Sequence, residues 1–293
     1  MPRIAYVNGR YVPHGAASVH IEDRGYQFAD SVYEVVALIN GKLADEQGHL
    51  DRLERSLDEL EIDMPMSRAA LKIAMRHLVH RNRCKNGGLY IQVTRGVAPR
   101  DFKFPDNDPP PSIVMTLRNM SFDIDARKKT LRDIITLPDI RWKRVDIKTT
   151  GLLAQVLAKQ TALDAGAYDA WMVDEKGYVT EGSASNAWIV NDKGHLITRP
   201  TANNRILKGV TRSALQALCK KHKIKLIERA FTVAEAKKAK EAFTSSATAL
   251  VMPVGSIDGK KIGKGTIGPV TEKVFDLYVA YAGLDKQEKW DPK

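Results

Sequence analysis

Several residues in this chain of 293 have the types and spacings that could do chemistry, and some of them dissolve on inspection. His77 and His80 lie three apart on a helical pattern, but Arg76 and Arg81 flank them and no third ligand is near, so no metal site is expected. The run Gly259-Lys260-Lys261-Ile262-Gly263-Lys264-Gly265-Thr266 has phosphate-loop composition with the wrong glycine spacing, and it reads as a hairpin tip. Gly182-Ser183-Ala184-Ser185 lacks the second glycine of a nucleophile elbow. Other positions hold up better. Lys148, in Asp146-Ile147-Lys148-Thr149-Thr150, follows Lys143 and Arg144 at the end of a strand-like segment. Neighbouring cations and burial both favour a neutral, nucleophilic amine, whereas a lysine without such context is ordinarily a solvated side chain. Glu181 precedes Gly-Ser-Ala-Ser-Asn, small residues that let backbone approach a ligand; the plainer alternative is an exposed acid in a loop. Gly209-Val210-Thr211 opens a helix whose free N–H groups suit an anion. Thr244 to Thr248 supplies hydroxyls and amides on a small-residue loop. Arg52, beside Leu53, can emerge at the edge of a buried helical face, or simply pair with nearby acids.

The elements that must position these residues can be read from pattern. Asn8-Gly9 joins two short strands, and Val32 to Ile39 is a longer strand closed by Asn40-Gly41. Leu50, Leu53, Leu57 and Leu60 recur at helical spacing, and a second helix runs from the N-cap Ser67 to about Arg83. Strands at Gly88 to Val97 and Ser112 to Leu117 follow. The polar stretch around 121–128 is read as a linker, giving an N-terminal domain over 1–120 and a C-terminal domain over 129–293. In the second half a strand (Leu131 to Leu137) leads through Arg141–Thr150 to a helix with Leu152, Leu153, Val156 and Leu157 on one face. Strand-like runs at Ala170–Asp174, Ala187–Asn191 and His195–Thr198 precede a helix from about Val210 to Lys221 and a strand at Lys225–Glu228. A short helix, a strand pair bent at Asp258-Gly259 and a C-terminal helix with Val270, Val274, Leu277 and Tyr278 inward complete an α+β or α/β pattern.

Composition narrows the partners. The net charge of +11 lies largely in short lysine runs at 220–225, 237–240 and 260–264, with no interleaved aromatics to stack bases, so nucleic-acid binding is not expected. A field that attracts small anions is the better account. Cys84 and Cys219 are too few for a disulfide framework. The N-terminus has no apolar signal core and no stretch approaches a membrane span, so a cytoplasmic protein with no membrane partner is expected.

Four segments in order, Arg24 to Val35, His49-Leu50-Asp51-Arg52-Leu53, Asp146 to Thr150 and Thr180-Glu181-Gly182-Ser183-Ala184-Ser185-Asn186, closely resemble the class IV aminotransferases, the fold-type IV pyridoxal-phosphate enzymes. The resemblance covers nearly the whole chain. It implies a two-domain α+β fold, with a smaller N-terminal α/β domain, a larger C-terminal α+β domain and pyridoxal 5′-phosphate between them. It also implies that Lys148 forms the Schiff base and moves protons, and that Glu181 keeps the pyridine nitrogen protonated. Arg52, Ser185, Asn186, Gly209, Val210, Thr211, Ser246, Ala247 and Thr248 complete the cofactor cup by the same likeness, and Leu207 packs against the ring.

Thr94-Arg95-Gly96-Val97-Ala98-Pro99-Arg100 resembles the D-amino acid branch of the family, in which Arg100 would hold the substrate carboxylate with help from Tyr33, and Val35 would face the substrate. That branch carries a histidine where this chain has Phe102, so weaker carboxylate binding and more apolar substrates are expected. The expected activity is a ping-pong exchange of the amino group between a D-amino acid and a 2-oxo acid in a homodimer. Branched-chain L-amino acid or R-selective amine transaminases, then aminodeoxychorismate lyase, are the alternatives within the family; outside it stands a basic, non-enzymatic binding protein.

Overall fold

The computed structural model describes residues 3–284, which divide into two compact units, one of residues 3–121 with 147–151 and one of 122–146 with 152–284. The first unit contains β1 (Ile4–Val7), β2 (Arg10–Pro13), α1 (Arg24–Phe28), β3 (Ser31–Ile39), β4 (Lys42–Leu43), α2 (Glu46–Asp58), α3 (Arg68–Asn82), β5 (Gly87–Thr94) and β6 (Ser112–Asn119). Its strands form one antiparallel sheet in the order β2-β1-β6-β5-β3-β4. Asn8 and Gly9 both have positive φ, as the tight turn between β1 and β2 requires. Strand alternation divides β3 cleanly. Val32, Glu34 and Val36 are fully buried, while Tyr33 and Val35 on the opposite face are half-buried. The buried face meets Leu50, Leu53 and Leu57 of α2 and Leu71, Met75 and Leu78 of α3 in one core. Ser67 caps α3 as its sequence predicts, accepting from Ala70 N at 3.3 Å.

The second unit contains α4 (Ile124–Lys129), β7 (Arg132–Pro138), α5 (Leu153–Asp164), β8 (Asp169–Val173), β9 (Val179–Gly182), β10 (Asn186–Val190), β11 (Leu196–Thr198), α6 (Val210–Lys221), β12 (Leu226–Glu228), α7 (Val233–Ala236), β13 (Glu241–Ser246), β14 (Leu250–Ile257), β15 (Lys260–Lys261) and α8 (Pro269–Tyr281). Its mixed sheet runs β12-β11-β10-β13-β14-β7-β8-β9, with β15 on β14 and parallel pairs at β14/β7, β7/β8 and β11/β12.

Four expectations need revision. The stretch read as a linker contains α4, capped by Asp123, whose side chain accepts from Ala126 N at 2.9 Å. Residues 147–151, assigned by sequence to the second domain, cluster with the first unit, because Thr149 bridges Val32 and Tyr33 N donates to Lys148 O at 2.9 Å. The segment from Asp139 to Leu152 is therefore irregular rather than strand-like. Finally, Leu153, Val156 and Leu157 are more than half exposed, and α5 packs on β8 through Ala158 and Ala162 instead. Small side chains allow the helix to approach the sheet closely, and the bulkier ones are left outward.

Candidate active site

In the first unit the site is built around the short segment 147–151. Ile147 and Thr149 are buried, and the alternation turns Lys148 the other way, half-buried, with Nζ 4.1 Å from the centroid of the Tyr33 ring. Three further bonds fix the segment: Thr150 N to Ser31 O at 3.3 Å, Lys148 N to Ser56 Oγ at 3.4 Å, and a hydroxyl pair between Ser31 and Thr150. Of the two cations expected to act on the amine, Arg144 pairs with Asp146 and Lys143 is exposed. Tyr33 and Val35 share their face with Tyr90 and Gln92, their partners across the ladder. Tyr90 donates to Gln92 Oε1 at 2.8 Å, and burial pushes its hydroxyl up to about 12.

On the other face of β3 lies Glu34, completely buried. Arg52 grips its carboxylate with two parallel bonds of 2.7 and 2.8 Å, and His49 Nδ1 stands 2.7 Å from Oε2. Burial alone would push this carboxyl up, but the charge and bonds of Arg52, with those of His49, outweigh it and hold the value down to about 2. His49, Arg52 and Ser56 lie three and four residues apart, so one face of α2 serves Glu34 and the backbone of Lys148 together.

Arg100 stands apart from this cluster, in the exposed loop between β5 and β6. Its guanidinium lies 5.2 Å from the Phe28 centroid and 5.6 Å from that of Phe102, and Phe102 itself is 81% exposed. Arg24, buried and bonded to Asp30 at 2.8 Å, pins the loop by donating to Asp101 O at 2.7 Å.

In the second unit Glu181 is not the exposed loop acid that its local sequence allows. It lies on β9, a strand that pattern missed because its four residues end in glycine, and it is 5% exposed. Its carboxylate accepts from Arg141 Nη1, from Asn186 Nδ2 at 2.9 Å and from the Leu207 amide at 3.1 and 3.2 Å. Asn186 also donates to Leu207 O at 3.0 Å. Gly209 closes the group, since a Cβ there would meet Asn186 Oδ1 at 2.1 Å. The rest of the Arg141 fork belongs to Asp139, at 2.9 and 2.7 Å, and Thr180 donates to Asp139 at 2.7 Å. Burial pushes the Glu181 carboxyl up, and Arg141 only partly opposes it. Asp139 differs: burial again pushes upward, but Arg141 prevails and its carboxyl is lowered.

Two carboxylates thus share one guanidinium, and among the described residues no second cation is bonded to the group. With both carboxylates ionised the group would carry one negative charge in excess, which the burial that pushes the Glu181 carboxyl up opposes until a cation arrives. Such a charge is costly without a partner, so the arrangement suits a cationic ligand atom against Glu181.

An anion would find its donors at the same end of this sheet. The register Asn186↔Ser245 sets the start of β10 beside the end of β13, where the turn Ala247–Ala249 follows Ser246. Arg127 of α4 clamps that turn, donating to the carbonyls of Thr248 and Ala249 at 3.1 and 3.0 Å. Ser246 Oγ accepts from Ala249 N at 3.3 Å. Helix α6 has Gly209 as its N-cap, with no side-chain cap bond, leaving its first N–H groups without a side-chain acceptor; the buried Thr211 hydroxyl faces that of Tyr278 at 3.5 Å. Ser185 is placed differently from expectation. Its hydroxyl, with that of Ser183, is given to the buried Asp169 at 3.2 and 2.5 Å and shapes the loop after β9.

The first unit brings together Tyr33, Val35 and Lys148 with Arg52 behind them. The second unit brings together Glu181, Asn186, Leu207 and Gly209. Sequence reading assigned no role to Glu34, His49, Arg127, Asp139 or Arg141. A charged residue within the apolar run Val32–Ile39, and polar residues at helical spacing beside the leucine stripe of α2, were signals for the first two. Nothing local marks the others.

Among the described residues no cluster of potential metal ligands occurs, and no helix is long and apolar enough to cross a membrane. The family model described as amino-transferase class IV matches residues 31–257. A D-alanine aminotransferase of Bacillus licheniformis is 40% identical over 270 residues, covering 91% of this chain and 93% of that one. One from Staphylococcus haemolyticus is 38% identical over 276 residues, covering 94% and 96%. Among solved structures, a branched-chain aminotransferase of Thermoproteus uzoniensis with norvaline superposes with a TM-score of 0.83 at 26% identity, covering 97% of this chain and 96% of that one. The chain belongs to the class IV aminotransferases, pyridoxal-phosphate-dependent enzymes of fold type IV.

Proposed function

We propose that this enzyme exchanges an amino group between a D-amino acid and a 2-oxo acid. The observations that support the proposal are a half-buried lysine amine over an aromatic ring in the first unit and, in the second, two buried carboxylates sharing one guanidinium, in a chain akin to D-alanine aminotransferases. Pyridoxal phosphate, when bound, supplies an aldehyde that condenses with amines and a ring that takes up the electron pair left at the substrate carbon when its proton departs. Lys148 is the amine that carries the cofactor and moves that proton, with the Tyr33 ring limiting where Nζ can travel. Glu181, held in place by Arg141, Asn186 and the Leu207 amide, would face the ring nitrogen, and the Leu207 side chain would pack on the ring. Arg52, the amides of Gly209, Val210 and Thr211, and the Ser246-Ala247-Thr248 turn would hold the phosphate, with Ser185 and Asn186 shaping the loop beside it.

Tyr33, Val35, Arg100 and Phe102 receive the substrate. With Phe28 and Phe102 close to its guanidinium, Arg100 presents a carboxylate with a cation set among aromatic rings. This surrounding favours an apolar substrate side chain, and an R-amine or branched-chain donor is the second reading on that ground. We further propose a cytoplasmic homodimer, supported by the reduced, buried Cys84 and Cys219 and by the family.

The test is a matched assay of D-alanine, L-leucine and R-1-phenylethylamine as donors to 2-oxoglutarate, with wild type and Lys148→Ala. Preference for D-alanine that vanishes in the variant is the expected result. Preference for another donor, with Lys148 still required, would overturn the substrate and keep the chemistry; transfer that survives in Lys148→Ala would overturn the role of the lysine.

A further inference from the structure

The charge of Glu181 is not set by Glu181 and Arg141 alone. Had Arg141 given its whole fork to Glu181, the two would form a closed neutral pair with nothing left to attract a cation. Instead Nε and Nη2 go to Asp139, and only Nη1 reaches Glu181. Asp139 lies in the irregular segment directly after β7, and the hydroxyl of Thr180, the neighbour of Glu181 on β9, fixes its carboxylate. That hydroxyl also contacts Met172 O at 3.0 Å, so the Thr180 rotamer is itself held by the β8–β9 pair. Arg141 and Asp139 are both almost wholly removed from water, at 4% and 12% side-chain exposure, so the bonding pattern is little screened by solvent.

We propose that Asp139 is a positioning residue: by occupying the Arg141 fork, it leaves Glu181 only partly neutralised and so sets how strongly the site prefers a protonated ring nitrogen. The proposal rests on Glu181 facing that nitrogen. Without the Asp139 charge, Arg141 is free to satisfy Glu181 in full, and the attraction for a cationic ring falls.

The test compares apoprotein affinity for pyridoxal phosphate with that for its 1-deaza analogue, in which a C–H replaces the ring nitrogen, at fixed neutral pH. The ratio of the two affinities isolates recognition of the nitrogen from that of the phosphate and aldehyde. Wild type is expected to favour pyridoxal phosphate. Asp139→Asn should lower the ratio by about tenfold, the effect of roughly one pKa unit on the nitrogen from a charge this close. Thr180→Val, which removes a bond to Asp139 but no charge, should leave the ratio within about twofold of wild type. If Asp139→Asn fails to fold, Asp139→Ser carries the same expectation.

Equal loss of affinity for both ligands in Asp139→Asn would show a merely structural role and overturn the proposal, as would an unchanged or increased ratio. Glu181→Gln separates the two levels. If it collapses the ratio while Asp139→Asn does not, Glu181 keeps its role and Asp139 has no part in tuning it. If Glu181→Gln leaves the ratio intact, the placement of Glu181 against the nitrogen is itself wrong.

Discussion

Replacing Glu34 by glutamine should destabilise the first unit severely, although the exchange is nearly isosteric. Glu34 has no exposure, the Arg52 side chain has 11% and His49 has 2%, so the variant leaves the Arg52 cation in a poorly hydrated place with an amide where its carboxylate stood. Removing one partner from a buried pair typically costs about 3–5 kcal/mol. An independent figure comes from proton linkage. A Glu34 carboxyl lowered from 4.5 to about 2 contributes about 3 kcal/mol to folding near neutral pH. Because the folded value is depressed, that contribution is present above the unfolded value of 4.5 and drains away as pH falls toward about 2.

The assay is urea unfolding followed by far-ultraviolet circular dichroism, with hydrogen exchange at Val32–Val36 to report on β3 itself. Tryptophan emission is a poor reporter, since among the described residues the tryptophans, Trp142, Trp171 and Trp188, all belong to the second unit. Glu34→Leu combined with Arg52→Met removes both charges and should recover most of the lost stability, at the expense of the phosphate contact proposed for Arg52. A loss below about 1 kcal/mol in Glu34→Gln, or no recovery in the double variant, would refute the account of a carboxylate held ionised by a buried partner.

Three further outcomes are expected. Arg127→Ala should release the turn after β13 and weaken pyridoxal phosphate binding by roughly five- to thirtyfold, with little effect on unphosphorylated pyridoxal; comparing the two affinities checks it. Gly209→Ala places a methyl against Asn186 and should cost about 1–3 kcal/mol, and Asn186→Ala in the same chain should return part of it, as thermal melts of the single and double variants would show. Arg100→Ala should cut kcat/KM for D-alanine by roughly ten- to a hundredfold while leaving R-1-phenylethylamine nearly untouched; equal losses on both would show that Arg100 does not hold a carboxylate.

Elements with long periodic patterns or strong punctuation were legible in the sequence. Helix α6 starts at Val210 and ends at Lys221 as read, and the Asn8-Gly9 hairpin and the Ser67 cap are where local chemistry puts them. What failed was short or depended on distant contacts. Strands β9 and β13 are rich in threonine, serine and glycine, and their assignment depends on neighbours in the sheet rather than on their own composition. The α5 stripe was apolar at helical spacing, yet the face that packs is the alanine one. At the candidate site, Lys148, Glu181 and Arg52 were visible because their segments carry a family likeness. The groups bonded to Glu181 and Arg52, or to their partners, namely Glu34, Asp139 and Arg141, are joined to them only by folding: Arg141 and Glu181 lie 40 residues apart and Glu34 and Arg52 lie 18. No window of sequence shows such a pairing.

The capture of residues 147–151 by the first unit bears on how the chain is made. As it leaves the ribosome, the six-stranded sheet can close by Asn119, but β4 covers only Leu38 and Ile39 on the outer edge of β3. The Tyr33 amide, which ends on Lys148 O, waits about thirty residues longer for its acceptor. At typical rates of about 5–20 residues per second this is an interval of seconds, during which an open sheet edge can pair with the wrong strand. Completion of the first sheet and delivery of the lysine amine to the Tyr33 ring are then a single event, so a nascent chain that has not closed that edge has no lysine in place to carry the cofactor.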